Sequence, residues 1–256
     1  MLENPRRAPI FYVPWLPKNP KWSIEVMNEI GAKWLMKQPA PRAVLVASIQ
    51  QYQLNKMSVF TRGASVVKPQ GGWATVARGS AVLAPWPLKD NLAIVSDLAR
   101  GEASSICVLP WGEEDKFQDA WLRAHRAVNA IDKRLYPGCD VALLDPVVEA
   151  AMTELEASVN HNNSLADPYE KPQTIEVLRE LFRNGHDFDV DSLCAWSLAN
   201  GFEASEIKQL REYADGVRAG KRFQLSFKGY SSAGSIDRWR KMAEPSVHGD
   251  TGEPRE

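Results

Sequence analysis

Basic side chains are concentrated near the end of the sequence, where they could neutralise phosphate groups. Residues 217–243 contain seven Lys or Arg and one Asp, whereas residues 145–191 contain eleven Asp or Glu and three Lys or Arg. Such asymmetry inside a chain of net charge −1 indicates a surface for nucleic acid or for a protein partner. The residues that we predict to make these contacts are Lys208, Arg211, Arg218, Lys221, Arg222, Lys228, Arg238, Arg240 and Lys241.

A helix-turn-helix pattern overlaps the start of this basic region. It consists of a first helix over 192–198, a turn that contains Gly201 and Phe202, and a second helix over 204–217. Apolar residues then alternate with polar ones over 223–227, as in a wing strand. The alternative is an ordinary helical hairpin used for packing or for a partner, because acids near the second helix would repel DNA phosphates. These acids are Glu203, Glu206, Glu212 and Asp215.

Two strand–helix units over 80–131 place tryptophans at one edge of a predicted sheet. The apolar runs 81–84 and 105–109 end in Pro85-Trp86 and Pro110-Trp111, and a helical pattern follows each. Both runs are too apolar for a half-exposed hairpin, so we predict parallel strands buried under helices. Open parallel sheets bind ligands beyond the carboxyl ends of their strands, which makes Trp86 and Trp111 candidates for the border of a pocket.

Further strands at 43–48 and 64–67 extend this pattern to a Rossmann-like, mostly parallel sheet over 43–135. A helix over 49–60 would connect these two strands. The loop 68–79 is the weakest step, because it is too short for a crossover helix.

A glycine-rich phosphate loop of the usual kind is absent. The residues after the first predicted strand, 48–50, contain no glycine, and Gly71-Gly72 precedes a strand rather than a helix. Nucleotide binding would therefore rest on fold analogy alone, and we expect no cofactor.

Other side chains that could do chemistry have simple structural interpretations. Asp187, Asp189 and Asp191 alternate as the oxygen ligands of a divalent cation can, but 189 or 191 is better placed to cap the next helix. His161 follows a helix in an Asn-rich loop that could position a substrate or simply end that helix. We predict no metal site, and the Gly-x-Ser-x-Gly and His-Glu-x-x-His motifs are absent.

Composition narrows the protein class. The three cysteines, at 107, 139 and 194, form neither a disulfide framework nor a zinc spacing. No apolar run approaches the ~18 residues of a membrane span, and Arg6 and Arg7 precede no signal-peptide core. We therefore expect a cytoplasmic protein that does not enter the membrane.

The sequence predicts four regions: an N-terminal extension with one helix over 1–42, an α/β domain over 43–135, a helical domain over 143–222, and a basic, partly disordered tail over 223–256. The functional hypothesis is a non-enzymatic binding or regulatory protein that acts on nucleic acid, including DNA, or on a protein partner through its helical domain and tail. The alternative is an enzyme of unknown reaction with its site at the carboxyl ends of the parallel strands.

Overall fold

The computed structural model describes residues 7–16, 23–112, 115–161, 164–225 and 234–244. Within them the strands are β1 Ile10–Tyr12, β2 Arg42–Leu45, β3 Ser65–Val67, β4 Ser80–Pro85, β5 Ala103–Leu109 and β6 Val128–Asn129. The helices are α1 Ile24–Met36, α2 Ile49–Leu54, α3 Met57–Phe60, α4 Lys89–Arg100, α5 Lys116–Ala124, α6 Pro146–Ser158, α7 Glu170–Arg183, α8 Val190–Ala199, α9 Ala204–Arg218 and α10 Ser235–Ala243.

The six strands form one sheet in the order β3-β2-β4-β5-β1-β6, and every neighbouring pair is parallel. The α/β fold with a parallel sheet that the sequence predicted is confirmed. If β1 is set aside, the other five strands follow the 2-1-3-4-5 order of doubly wound folds. The winding therefore reverses between β2 and β4, which is where such sheets open a crevice at their carboxyl edge.

Alternation along the central strands explains why both faces of the sheet are covered. Leu83 and Leu109 pack with α1 on one face, whereas Val82 and Val108 belong to a core on the opposite face that continues into the helical region. Gly31 lets α1 approach closely, because a Cβ atom there would lie 2.7 Å from Leu109 Cδ2.

Two segments of the α/β region differ from the sequence prediction. The sequence predicts that the second strand–helix unit reaches residue 131, but α5 ends at Ala124, and Val128 begins β6 beside β1. The predicted helix over 49–60 is divided into α2 and α3, because Lys56 adopts a left-handed conformation with φ 54°. Non-local strand pairing and a left-handed residue both leave little trace in hydrophobic periodicity.

Two short segments, one in the predicted N-terminal extension and one in the predicted tail, form regular secondary structure. Ile10–Tyr12, a strand-like run in the predicted extension, lies inside the sheet between β5 and β6. Residues 235–243 of the predicted tail form α10, which packs against α6 with Trp239 fully buried. A short amphipathic helix of this kind gains its stability from packing rather than from propensity.

The predicted wing strand over 223–227 lies only partly within the described residues. Residues 223–225 are not in a strand, whereas residues 226–227 and the end of the predicted tail, 245–256, lie outside the described residues. In the part of the chain that the structure describes, no helix has the length and apolar character needed to cross a bilayer.

Candidate functional site

A cleft of about 510 Å³ lies at the carboxyl edge of the sheet, between the α/β region and the helical region. Its walls come from the loop after β3, from the first turns of α4 and α5, and from the first half of α9. The lining residues are Gly71, Gly72, Lys89, Asp90, Ala93, Phe117, Ala204, Ser205, Ile207, Lys208 and Arg211. Open α/β sheets bind ligands at this edge, so the cleft is the candidate site.

Two cations from different elements meet at one carboxylate of α8. Lys89 Nζ lies 3.2 Å from Asp191 Oδ1, and Arg211 Nη1 lies 2.7 Å from the same oxygen. Arg211 therefore cannot leave the cleft without breaking a charged hydrogen bond, while half of the Lys89 side chain stays exposed to solvent.

The same two cations lie over one aromatic ring. Lys89 Nζ is 5.6 Å and Arg211 Cζ is 5.3 Å from the centroid of Phe117, which is itself almost completely buried. Cation–π contacts at these distances hold both groups over an apolar floor without neutralising them.

Electrostatics at Asp191 follow from these neighbours. Burial alone would raise the pKa of Asp191, but hydrogen bonds and charges from Arg211 and Lys89 outweigh this effect and hold the pKa below its ordinary value. Asp191 is therefore ionised near neutral pH. The lining also contains Lys208 and Asp90, so three cations face two carboxylates in and beside the cleft.

The N-terminus of α9 is fixed against α4, which keeps Lys208 and Arg211 in register with the sheet. Arg100 donates hydrogen bonds to the main-chain oxygens of Leu198 and Phe202, at 3.0 and 2.8 Å. The Ala204 N–H donates to the carboxylate of Asp97, one turn earlier on α4. These contacts anchor the turn between α8 and α9 to the α/β region.

Gly201 makes that turn possible. Its φ is 129°, and a Cβ atom at this position would lie 2.2 Å from Glu156 Oε1. Beside it, the buried Glu206 accepts a hydrogen bond from the Glu203 N–H at 2.7 Å and contacts His161 Nδ1 at 3.2 Å. The helical hairpin predicted from the sequence is present, and His161 joins α9 to the end of α6.

The loop after β3 contributes two glycines to the lining of the cleft. Gly71 and Gly72 have φ of 60° and 90°, and Gln70 and Trp73 exchange main-chain hydrogen bonds around them. Positive φ at two successive positions requires glycine in a turn this tight. Further along, the Val76 N–H donates to the Glu102 carboxylate at 2.9 Å, which ties the loop to the start of β5.

Of the basic residues predicted from the sequence, the structure places Lys208 and Arg211 in the cleft. Arg222 and Lys241 are exposed elsewhere, and Lys228 lies outside the described residues. The others form ion pairs with carboxylates of the helical region: Arg218 with Asp187, Lys221 with Glu212, Arg238 with Glu154, and Arg240 with Asp237.

Trp86 and Trp111 lie side by side at the carboxyl edge, but they are not among the lining residues of this cleft. Their ring centroids are 6.2 Å apart. Trp86 is buried and has a φ of 45°. Its main-chain N–H donates a hydrogen bond to the main-chain oxygen of Leu109 at 2.9 Å. Trp111 is partly exposed above it.

The alternating acids have the structural role that the sequence indicated. Asp189 caps α8 by accepting a hydrogen bond from the Ser192 N–H at 2.8 Å, and Asp187 pairs with Arg218. Among the residues with a described position, no group of three or more His, Cys, Asp or Glu is arranged to hold a metal ion.

Sequence reasoning missed Lys89, Phe117 and the part that Asp191 plays between Lys89 and Arg211. One signal was available. A lysine in the first turn of a helix opposes the helix dipole, so Lys89 at the start of α4, directly after a buried parallel strand, is unfavourable for folding alone. Residues 89, 117 and 211 are far apart in the sequence, so their contact in the cleft could not be predicted from it.

Comparison with known proteins concerns the helical region. A family described as "Domain of unknown function (DUF1889)" matches residues 144–240, which is less than half of the 256 residues. The match begins just before α6 and ends inside α10, so the strands of the sheet lie outside it. No curated protein and no solved structure matches the chain. The cleft takes Lys208 and Arg211 from the matched segment and Lys89 and Phe117 from the segment before it.

Proposed function

We propose that this protein binds a small anionic ligand, with phosphate or carboxylate groups, in the cleft between the sheet and the helical region. The observation that carries the proposal is the convergence of Lys89 and Arg211, from α4 and α9, over Phe117 at the carboxyl edge of the sheet. An apolar floor with a few convergent charged groups is typical of ligand sites.

Charge supports this ligand class. The first turns of α4 and α9 both line the cleft, and the positive end of a helix dipole favours a nearby anion. Asp191 supplies the internal negative charge that keeps Lys89 and Arg211 together. A bound anion would share or replace that carboxylate as the partner of the two cations.

Binding of nucleic acid or of a protein partner by the helical region and tail remains a second prediction. It is supported by the charge asymmetry of the sequence, and the exposed Arg222 and Lys241 suit it. It is weakened by the ion pairs that engage most of the other basic side chains, because a paired cation releases fewer counterions from a nucleic acid.

Calorimetry and thermal unfolding with inorganic pyrophosphate and with citrate test the proposal. At a ligand concentration one hundred times Kd, mass action adds about 2.7 kcal/mol, which raises the Tm of a chain of this size by about 5–10 °C. Lys208→Ala should weaken binding of the better anion about tenfold, because Lys208 is exposed at the cleft and the substitution leaves the core intact.

Lys241→Ala is the matched control, since it removes an exposed lysine on α10, away from the cleft. Equal losses in both variants would assign the effect to overall charge and contradict the proposal. Absence of binding by either anion up to about 10 mM would also contradict it.

A further inference from the structure

Large apolar side chains are exposed after each of three strands that border the cleft. Trp73 follows β3 and is 62% exposed, Leu88 follows β4 and is 58% exposed, and Trp111 follows β5 and is 43% exposed. Exposed aromatic groups gathered at one edge of a domain indicate a contact surface, because burying them in a complex removes apolar area from water.

Trp73 is the aromatic member of this set that follows the glycine turn lining the cleft. Its indole Nε1 and Cδ1 lie 3.7 and 3.8 Å from the position that a Cβ atom on Gly71 would occupy, and Gly71 lines the cleft. Glycine at this position leaves room for the indole to lie against the turn. The exposed ring therefore lies beside Gly71, next to the lining of the cleft.

The loop that carries Trp73 is fixed through its main chain. The main-chain hydrogen bonds between Gln70 and Trp73 measure 2.9 and 3.2 Å, and Glu102 fixes the loop again at Val76. A turn that is already ordered reduces the cost of ordering the site when a ligand binds. The main chain at Trp73 therefore needs no rearrangement for a ligand to stack on the ring.

We propose that the ligand of the cleft carries a planar ring beside its anionic group, as a nucleoside mono- or diphosphate does, and that the ring stacks on Trp73. This inference rests on the proposed anion site. β3 and β4 are separated by β2, so Trp73 and Lys89 follow strands that lie about 10 Å apart at the edge of the sheet. A spacer of sugar size between ring and phosphate suits that separation.

The charges favour a single nucleotide over a nucleic-acid strand. A strand needs a continuous groove of unpaired cations that follows its backbone. Here the cations of the cleft face Asp90 and Asp191, and Arg218, Lys221 and the basic residues of α10 are mostly engaged with acids. The cleft volume of about 510 Å³ fits a ligand of nucleotide size.

The test compares the intact protein with inorganic pyrophosphate, adenosine and guanosine mono- and diphosphates, and a single-stranded oligonucleotide. At least one nucleotide should bind about tenfold or more tightly than pyrophosphate. Trp73→Ala should weaken that nucleotide about tenfold to a hundredfold, which is the range that loss of one stacked base gives, while leaving pyrophosphate binding unchanged. Trp73→Phe should restore most of the affinity, because a ring is present again.

Two controls separate this inference from the anion site itself. Trp111→Ala removes another exposed indole, one that does not adjoin the Gly71-Gly72 turn, and it should change nucleotide affinity less than Trp73→Ala does. Pyrophosphate binding without any preference for nucleotides would leave the anion site standing and overturn the stacking inference. Absence of binding by every phosphate ligand would overturn both. Tighter, strongly salt-dependent binding of the oligonucleotide would identify a strand as the ligand and also overturn the inference.

Discussion

Asp191 on α8 accepts a hydrogen bond from Arg211 on the following helix, with 2.7 Å between Oδ1 and Nη1. The same oxygen contacts Lys89 from α4, so a single carboxylate holds two cations of the cleft. Asp191 thus supplies the negative charge that Lys89 and Arg211 share.

This relationship predicts opposite effects on affinity and on stability. Asp191→Asn should strengthen anion binding about fivefold to tenfold, or about 1–1.4 kcal/mol, because Lys89 and Arg211 lose their internal counter-charge. The same change should lower the free energy of unfolding by about 1 kcal/mol through loss of the ion pairs. Calorimetry and urea unfolding measure the two quantities. Asp187→Asn is the control: it removes an acid that pairs with Arg218 outside the cleft, and it should leave anion affinity unchanged.

Acid should selectively remove the contribution of Asp191 to stability. Arg211 and Lys89 hold the pKa of Asp191 below the unfolded value of about 3.9 despite burial, so its ionised form stabilises the fold above that pH. This contribution is lost as the pH falls through the lowered pKa of the folded protein. The difference in unfolding free energy between wild type and Asp191→Asn should therefore be constant from pH 5 to 7 and shrink below about pH 4.

That difference is more informative than the wild-type curve alone. Burial raises the pKa of Asp97 and of Glu206, and groups of that kind favour the folded state as the pH falls. Subtracting the two curves cancels these contributions. A difference that stays constant down to pH 2 would show that Asp191 is not coupled to its two cations.

The contact between α1 and β5 predicts a coupled pair of substitutions. Leu109→Ala should cost about 2–5 kcal/mol by leaving a cavity at a fully buried position of β5. Val108→Ala, on the opposite face, should cost about 1–3 kcal/mol. Gly31→Ala should also destabilise, since its Cβ would lie 2.7 Å from Leu109 Cδ2.

In the double variant Gly31→Ala with Leu109→Ala, the new methyl group enters the space that the leucine leaves. We expect an interaction energy of about 1–2 kcal/mol in favour of the double variant, measured by a double-mutant cycle in urea. Additive losses would show that α1 does not pack on Leu109 in this way.

Retention on immobilised DNA or heparin tests the partner prediction. Because Arg218, Lys221, Arg238 and Arg240 are ion-paired, we expect the protein to elute near or below about 0.15 M salt. Arg222→Ala with Lys241→Ala should elute slightly earlier. Point substitutions are preferable to deletion after Gly220, which would remove the fully buried Trp239 and destabilise the helical region. Elution of the wild type at several-fold higher salt would favour nucleic acid as the partner.

Local patterns explain what the sequence predicted correctly. β4 and β5 are continuous apolar runs, α4 has a strong helical period, and Gly101 ends α4 where that period stops. A parallel α/β unit therefore follows from residues close together in the chain. The helical domain over 143–222, with the two helices that became α8 and α9, was predictable for the same reason. Where order depends on tertiary packing, as in three-residue β1 and in α10, the local signal was too weak.

The candidate site was only partly predictable, because it is a product of topology. Its position beyond the carboxyl ends of the strands followed from the α/β pattern. The identity of the residues that form the site could not be predicted in the same way. Lys89, Phe117 and Arg211 meet only because Arg100 anchors the helical region to α4. Nothing in the local sequence of α9 reveals that Lys208 and Arg211 face the sheet.

The placement of β1 has a consequence during synthesis of the chain. Ile10 pairs with Ile106, so the first strand leaves the ribosome before either of its neighbours exists. At typical translation rates about 5–20 s pass before the partner is made, and for that time an apolar segment has no strand to pair with. Closing the sheet therefore requires β1 to enter between two later strands. A molecular chaperone that shields the nascent N-terminal segment would raise the yield of folded protein more than it would for a sheet assembled in chain order.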